Sequence, residues 1–254
     1  MLANYHTHTY RCGHARGEDR EYVESAISCG MKILGIADHC PWVFNDGYVS
    51  PIRMKPKETE EYFRSFTDLK KEYASDIKIY IGFEAEYIPE LIEAQDRFLA
   101  DYPVDYMIMG QHYNHIEYED AYMGVPTADE RLLIDYVDHI IEGMESGRYR
   151  YLAHPDLLNF TGSSELYEQH YTRLCEYLKS KDIPLEINLL GLAIGKHYPS
   201  ERFFSIAKKV GNKAIIGCDA HAPQYLCDKD EIESGFRFAE KIGLELVETL
   251  TGLD

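Results

Sequence analysis

The sequence predicts an α/β protein with parallel strands, either a barrel or an open doubly wound sheet, and two observations carry that expectation. Short apolar runs of strand length alternate with amphipathic helical stretches about seven times along the 254 residues, and such alternation implies parallel strands joined by right-handed crossovers. Nearly every strand run also ends in a histidine or a carboxylate, as expected where strand ends share one functional face. No repeat, low-complexity tract or linker interrupts the chain, which reads as one domain over 1–254.

In order, residues 1–5 form a brief strand that runs into His6-Thr7-His8-Thr9-Tyr10-Arg11-Cys12-Gly13-His14. If the strand ends near His6, His6 and His8 leave it on the same side. Residues 18–30 read as a helix, with Tyr22, Val23, Ala26 and Ile27 on one face, acids in the first turn and Gly30 at the end. A strand over 32–38 delivers Asp38-His39, and 40–56 is a long loop of the kind that usually serves function. A helix over 57–74 leads to an alternating strand, 77–83, that runs into Glu84. The remaining pairs are helix 89–99 with strand 104–110, helix 128–146 with strand 150–153, helix 163–180 with strand 184–188, and helix 198–210 with strand 213–217. A second long loop spans 113–127, and a helix over 229–242 precedes the final stretch, 244–250.

Composition narrows the class. A hydrophobic fraction of 45% with 28% charged residues is globular. The formal net charge of −18 opposes binding to a polyphosphate backbone, so no nucleic-acid partner is expected, although a local cationic pocket for one small phosphate is compatible with it. The six cysteines form no Cys-x-x-Cys pair and read as reduced thiols, Cys12 being a small loop residue, with an accidental soft ligand or an oxidation-prone neighbour of the histidines as the alternative. No apolar run approaches the ~20 residues of a membrane helix, and the first residues lack a basic-then-apolar signal pattern. The expectation is a cytoplasmic protein without a membrane partner. No heptad or apolar stripe speaks to oligomeric state.

The strand ends define a metal-ligand set: His6, His8, His39, Glu84, His112, His154, Asp219 and His221, with His14 one loop beyond the first pair. Seven imidazoles against two carboxylates favour Zn, Mn or Fe over Mg or Ca. Nine ligands with one shared carboxylate suffice for three ions, and a carboxylate bridges because it has two oxygens.

The motifs are His6-x-His8 with His14, Ala37-Asp38-His39, Phe83-Glu84, Gly110-Gln111-His112, Ala153-His154-Pro155-Asp156 and Gly217-Cys218-Asp219-Ala220-His221. In order and spacing they resemble the PHP superfamily, named for polymerase and histidinol phosphatase. The resemblance implies a distorted (β/α)7 barrel and a trinuclear centre. It puts His6, His8, Glu84 and Asp219 on a first ion, Glu84, His112 and His154 on a second, and His14, His39 and His221 on a third. Within the superfamily the chain looks most like histidinol-phosphate phosphatases. The implied reaction is hydrolysis of a small phosphomonoester by a metal-bridging hydroxide, with Glu84, Asp219, His39 and His221 as the catalytic centre and histidinol phosphate, of histidine biosynthesis, as the leading substrate.

Asp38 reads as a support for His39, with proton donation to the leaving group as the alternative, and Asp156 has the same two readings, capping or support of a ligand being preferred. Such phosphatases commonly carry an Arg after the Gly-Leu of Asn-x-x-Gly-Leu, and Ala193 stands there in Asn188-Leu189-Leu190-Gly191-Leu192-Ala193. Arg16, Lys196 and His197, with Arg150 further off, are the candidates to contact phosphate in its place. Rival readings are another PHP phosphoesterase substrate, including a short oligonucleotide, an amidohydrolase-like enzyme, and a non-catalytic metal-binding module. No lysine stands at a strand end for the amidohydrolase arrangement, and no attached domain favours the module.

Overall fold

The computed structural model describes residues 1–44 and 46–253; position 45, in the predicted 40–56 loop, lies outside the described residues. Strands β1 (Ala3–Asn4), β2 (Ile33–His39), β3 (Lys78–Ala85) and β4 (Tyr106–Met109) form one parallel sheet in chain order. A second parallel sheet holds β5 (Leu185–Asn188), β6 (Lys213–Gly217) and β7 (Glu245–Leu246). Leu152 joins the two sheets by single bridges to Met109 and Leu185. A further bridge, Thr7 to Ala220, curls the sheet back to its start, with His8 N–H donating to Ala220 O at 2.9 Å and Ala220 N–H to His6 O at 3.2 Å. The circuit β1-β2-β3-β4-Leu152-β5-β6 and back to β1 therefore has seven positions, one of them a single residue wide, with β7 paired to β6 outside it. The predicted strand over 150–153 shrinks to that bridge because it is confined between the Gly147 turn and His154, whose φ of 28° turns the chain away.

Local caps set the helix starts. Glu18 and Glu21 make a capping box at α1 (Asp19–Ser28). A 3₁₀ turn, Pro56–Glu58, precedes α2 (Thr59–Glu72), and Pro89 opens α3 (Pro89–Leu99). Asp129, Ser163 and Ser200 cap α4 (Glu130–Glu145), α5 (Ser164–Ser180) and α7 (Glu201–Val210). The last of these begins later than predicted, because Pro199 and the extended Ser200 hold residues 198–200 out of the helix. The short α6 (Leu189–Ala193) was not predicted; it starts because Asn188 Oδ1 accepts the Gly191 N–H at the end of β5. Asp228 caps α8 (Lys229–Ile242), which ends on left-handed Gly243. Among the described residues no helix is long and apolar enough to cross a membrane.

Alternation along the strands divides the interior in two. Ile79, Ile81 and Phe83 of β3 join the large core beneath the helices, while Tyr80 joins Tyr5, Tyr106, Tyr151 and Ile215 in a second cluster. Tyr106 spans that inner cluster, its hydroxyl donating to Tyr5 O at 2.7 Å. Its ring occupies the space that side chains at Gly35 and Gly82 would need. Continuing on the face of Tyr80 and Gly82, the next inward residue of β3 is Glu84. Polar chemistry thus rests on a floor of tyrosines.

Replacing Gly82 with Ala drives a methyl into the Tyr106 ring and backbone. The expected loss is about 1–3 kcal/mol, read from the midpoint of urea denaturation with an unchanged m-value.

Candidate metal centre

The carboxyl ends of the strands bring all nine predicted ligands to one place. His6 and His8 follow β1, His14 follows a 3₁₀ turn at Tyr10–Cys12, His39 ends β2 and Glu84 lies inside β3. His112 follows β4, His154 follows the Leu152 bridge, and Asp219 and His221 follow β6. Ring nitrogens and carboxylate oxygens approach within 4.8 Å of one another in the groups His6–His8–Asp219, His6–Glu84–His154, His8–His39–Glu84 and His14–His39–His221. His112 belongs to none of these groups, but its Nε2 is 3.6 Å from Glu84 Oε1.

An acceptor on the outer side orients most of these rings. His6 Nδ1 donates to Glu186 Oε1 at 2.8 Å and His112 Nδ1 to Glu86 Oε1 at 3.0 Å. His14 Nδ1 donates to Cys12 O at 3.0 Å and His221 Nδ1 to Asp219 O at 2.9 Å. His8 Nδ1 lies 3.4 Å from Asp38 Oδ1. With Nδ1 turned outward, the second nitrogen is left for the centre, which is how metal-binding imidazoles are usually held.

The inner atoms are short of partners. His6 Nε2 and His8 Nε2 face each other at 3.0 Å. Glu84 Oε2 and Asp219 Oδ1 are each approached to 3.0 Å by an imidazole nitrogen, yet both are buried acceptors without a well-directed hydrogen bond. Lone pairs converging on one another in a buried space call for a shared cation, so the residues fit divalent metal ions.

The charge states agree. Burial by itself disfavours the His6 cation, but the carboxylates of Glu186, Asp219 and Glu84 outweigh it and hold its pKa well above the ordinary value. His8 is buried too, yet hydrogen bonding to Asp219 and Asp38 raises it to about 9. Burial and the neighbouring His8 charge push His39 well down and His221 down to about 4. Glu84 and Asp219 are driven well below the carboxylate range by the histidines around them, against the effect of burial. Where the cluster draws protons most strongly, it equally draws a metal cation. His154 (φ 28°) and Asp219 (φ 50°) both hold left-handed backbone conformations uncommon for non-glycine residues.

Above the centre opens a cavity of about 530 Å³, within the usual range for small-molecule sites. Tyr113, Tyr122, Tyr198 and Tyr225 wall it, and the partly exposed Ile52 and Ile194 stand at its rim. Of the predicted phosphate contacts, Lys196 lines this cavity. Arg16 does not: its N–H is tied to His221 O and its side chain is exposed. Nor does His197, whose Nε2 donates to Leu157 O at 2.7 Å. Arg150 precedes the Leu152 bridge and lines a different pocket with Asp105 and Arg148. Asp38 supports His8, not the His39 ring; it also accepts the Thr9 hydroxyl and the His39 N–H. Asp156 accepts the Ser200 N–H at the cap of α7. Cys12 is a buried thiol that accepts the Ala15 N–H, and all six cysteines are free.

Sequence reasoning missed Glu86, Glu186, Asn188 and Arg53. Arg53 lines the cavity, but its charge is taken up by Glu86 and Glu117, at 3.0 and 2.6 Å. The signal for the two acids was present: Glu86 and Glu186 interrupt or closely follow apolar strand runs, and each lies two residues from another inward polar group, Glu84 and Asn188.

A curled parallel sheet thus carries a buried histidine–carboxylate cluster at its carboxyl end. The family profile described as PHP domain matches residues 4–189, and the chain belongs to that family. A protein of Deinococcus radiodurans named probable histidinol-phosphatase is 28% identical over 250 residues, covering 95% of this chain and 91% of that one. A protein of the same name from Schizosaccharomyces pombe is 26% identical, covering 88% and 81%. Among solved structures, the histidinol phosphate phosphatase of Lactococcus lactis, complexed with zinc, L-histidinol and phosphate, superposes with a TM-score of 0.74 at 20% identity, over 100% of this chain and 98% of that one.

Gly110 makes room for Glu84, since a Cβ there would collide with Oε1. Gly110→Ala is expected to displace that carboxylate and lower phosphatase activity roughly 100-fold, with circular dichroism unchanged. Activity within threefold of wild type would mean that the site tolerates a moved Glu84.

Proposed function

We propose that the chain hydrolyses a small phosphomonoester, with histidinol phosphate the leading candidate, using three divalent transition-metal ions of Zn, Mn or Fe type. In this reading His6, His8, Glu84 and Asp219 hold one ion, Glu84, His112 and His154 a second, and His14, His39 and His221 the third. The observation that carries it is that His6 and His112 are pinned outward at Nδ1 with Nε2 toward Glu84, while Glu84 Oε2 and Asp219 Oδ1 are buried acceptors without a directed hydrogen bond. When bound, such ions supply Lewis acidity to phosphoryl oxygens and acidify water.

The chain's own residues supply the rest. Lys196 brings a positive charge to the wall of a strongly acidic protein, where it attracts the phosphate dianion. The four tyrosines and the apolar rim enclose the alcohol portion and exclude water around it. His221, lowered to about 4, stays neutral at physiological pH and keeps a lone pair for an ion. Asp38 is sealed off among His8, Thr9 and the His39 N–H, so it does not reach a leaving group. Ala193 in place of an arginine supports a second reading, a phosphomonoester other than histidinol phosphate, because Lys196 lacks the bidentate grip of a guanidinium.

A panel of phosphomonoesters including histidinol phosphate and p-nitrophenyl phosphate, assayed with Zn, Mn and Fe, distinguishes the two readings. Turnover of histidinol phosphate far above the rest supports the first, preference for another ester the second, and no turnover on any sinks both. Freshly purified protein is expected to carry about two to three metal equivalents, checked by elemental analysis. Glu84→Gln should lower kcat/KM at least about 100-fold. Lys196→Ala should raise KM roughly three- to tenfold with little change in kcat.

A further inference from the structure

Glu186 is fully buried in β5, beneath the metal centre, and is not one of the nine proposed ligands. Its two oxygens take four hydrogen bonds. Oε1 accepts from His6 Nδ1 at 2.8 Å and from the Tyr151 hydroxyl at 3.3 Å. Oε2 accepts from the His154 N–H and from Asn188 Nδ2, both at 3.0 Å. Asn188 Nδ2 also reaches Asp219 Oδ2 at 3.1 Å. Gly217 on the neighbouring strand leaves the space for this carboxylate, for a Cβ there would collide with Oε1. One short strand therefore touches three strand ends: those after β1, after the Leu152 bridge and after β6.

We propose that Glu186 is a positioning residue that sets His6, His154 and, through Asn188, Asp219 as ligands before any ion arrives. The proposal rests on the metal-centre reading above. All four contacts are donors, and an ionised carboxylate is the side chain that accepts on both of its heteroatoms. Glutamine has the same shape but carries an NH₂ on one side. It must therefore set donors against either His6 and Tyr151 or His154 and Asn188. For His6, the bond at Nδ1 keeps Nε2 aimed at Glu84 and Asp219, at 3.5 and 3.4 Å. For His154, the bond from its N–H anchors a backbone held at φ 28°. His14 and His221 take their support from Cys12 O and Asp219 O instead, so their site should respond least.

The test is zinc titration of metal-stripped wild type, Glu186→Gln and Glu186→Asp against a competing chelator, with circular dichroism on each. Glu186→Gln is expected to keep its secondary structure and lose about 10- to 100-fold in zinc affinity at the sites built on His6, His154 and Asp219. Weaker binding should leave the site of His14, His39 and His221 nearly as tight as in wild type. Glu186→Asp, which keeps both acceptor oxygens, should recover part of the loss. A folded Glu186→Gln with wild-type affinity at every site overturns the proposal alone. Wild type that takes up no zinc overturns the metal-centre reading, and the proposal with it. Should Glu186→Gln not fold, ¹⁵N-histidine spectra of zinc-loaded wild type decide: a protonated Nδ1 on His6 is expected, and an Nε2–H, Nδ1-ligated His6 overturns it.

Discussion

Two carboxylates, those of Glu84 and Asp219, are ionised where little water reaches them, and much of the molecule answers to that fact. A buried negative charge is tolerable only when cations or directed donors surround it. Histidines from five separate strand ends approach this pair; burial and the His8 charge depress His39 and His221, while acidic neighbours raise His6 and His8. A fixed negative field suits divalent cations, which place more charge at fewer points.

That field is sustained by what lies beneath and behind it. The tyrosines of the lower interior give a rigid floor, and glycines on adjacent strands give each inward carboxylate a berth: Gly110 beside Glu84 and Gly217 beside Glu186. Inward side chains in a small barrel compete for volume, so a long acid on one strand requires almost nothing on the next. The outer acids Glu86 and Glu186 then fix the rings of His112 and His6 from behind. Glu86 also binds Arg53 and the Trp42 indole, which ties the 40–56 loop to a ring of the centre.

Much of this was legible in the sequence, for reasons that differ by residue. His39, His112, His154 and Asp219 each end an apolar run, so a one-dimensional pattern carries their three-dimensional convergence. The helix after Ser163 lies where its pattern predicts, whereas the pattern misses the cap at Ser200 and starts that helix three residues early. Arg16 is exposed and does not line the cavity, since closeness to ligands along the chain says nothing about where a loop side chain points. Arg53 was invisible because its partners, Glu86 and Glu117, lie 33 and 64 residues away. The 150–153 strand failed for a geometric reason, the turn imposed at His154.

The bridge between Thr7 and Ala220 has a bearing on how the molecule assembles. Its two sides carry His6 and His8 on one hand and Asp219 and His221 on the other, separated by more than two hundred residues of chain. Contacts of such sequence separation form late, because loop closure precedes any reward for it. During synthesis the first histidine pair therefore spends most of elongation as a half-site without its acidic partner, and the seam of the sheet and the complete ligand set come into being in the same event.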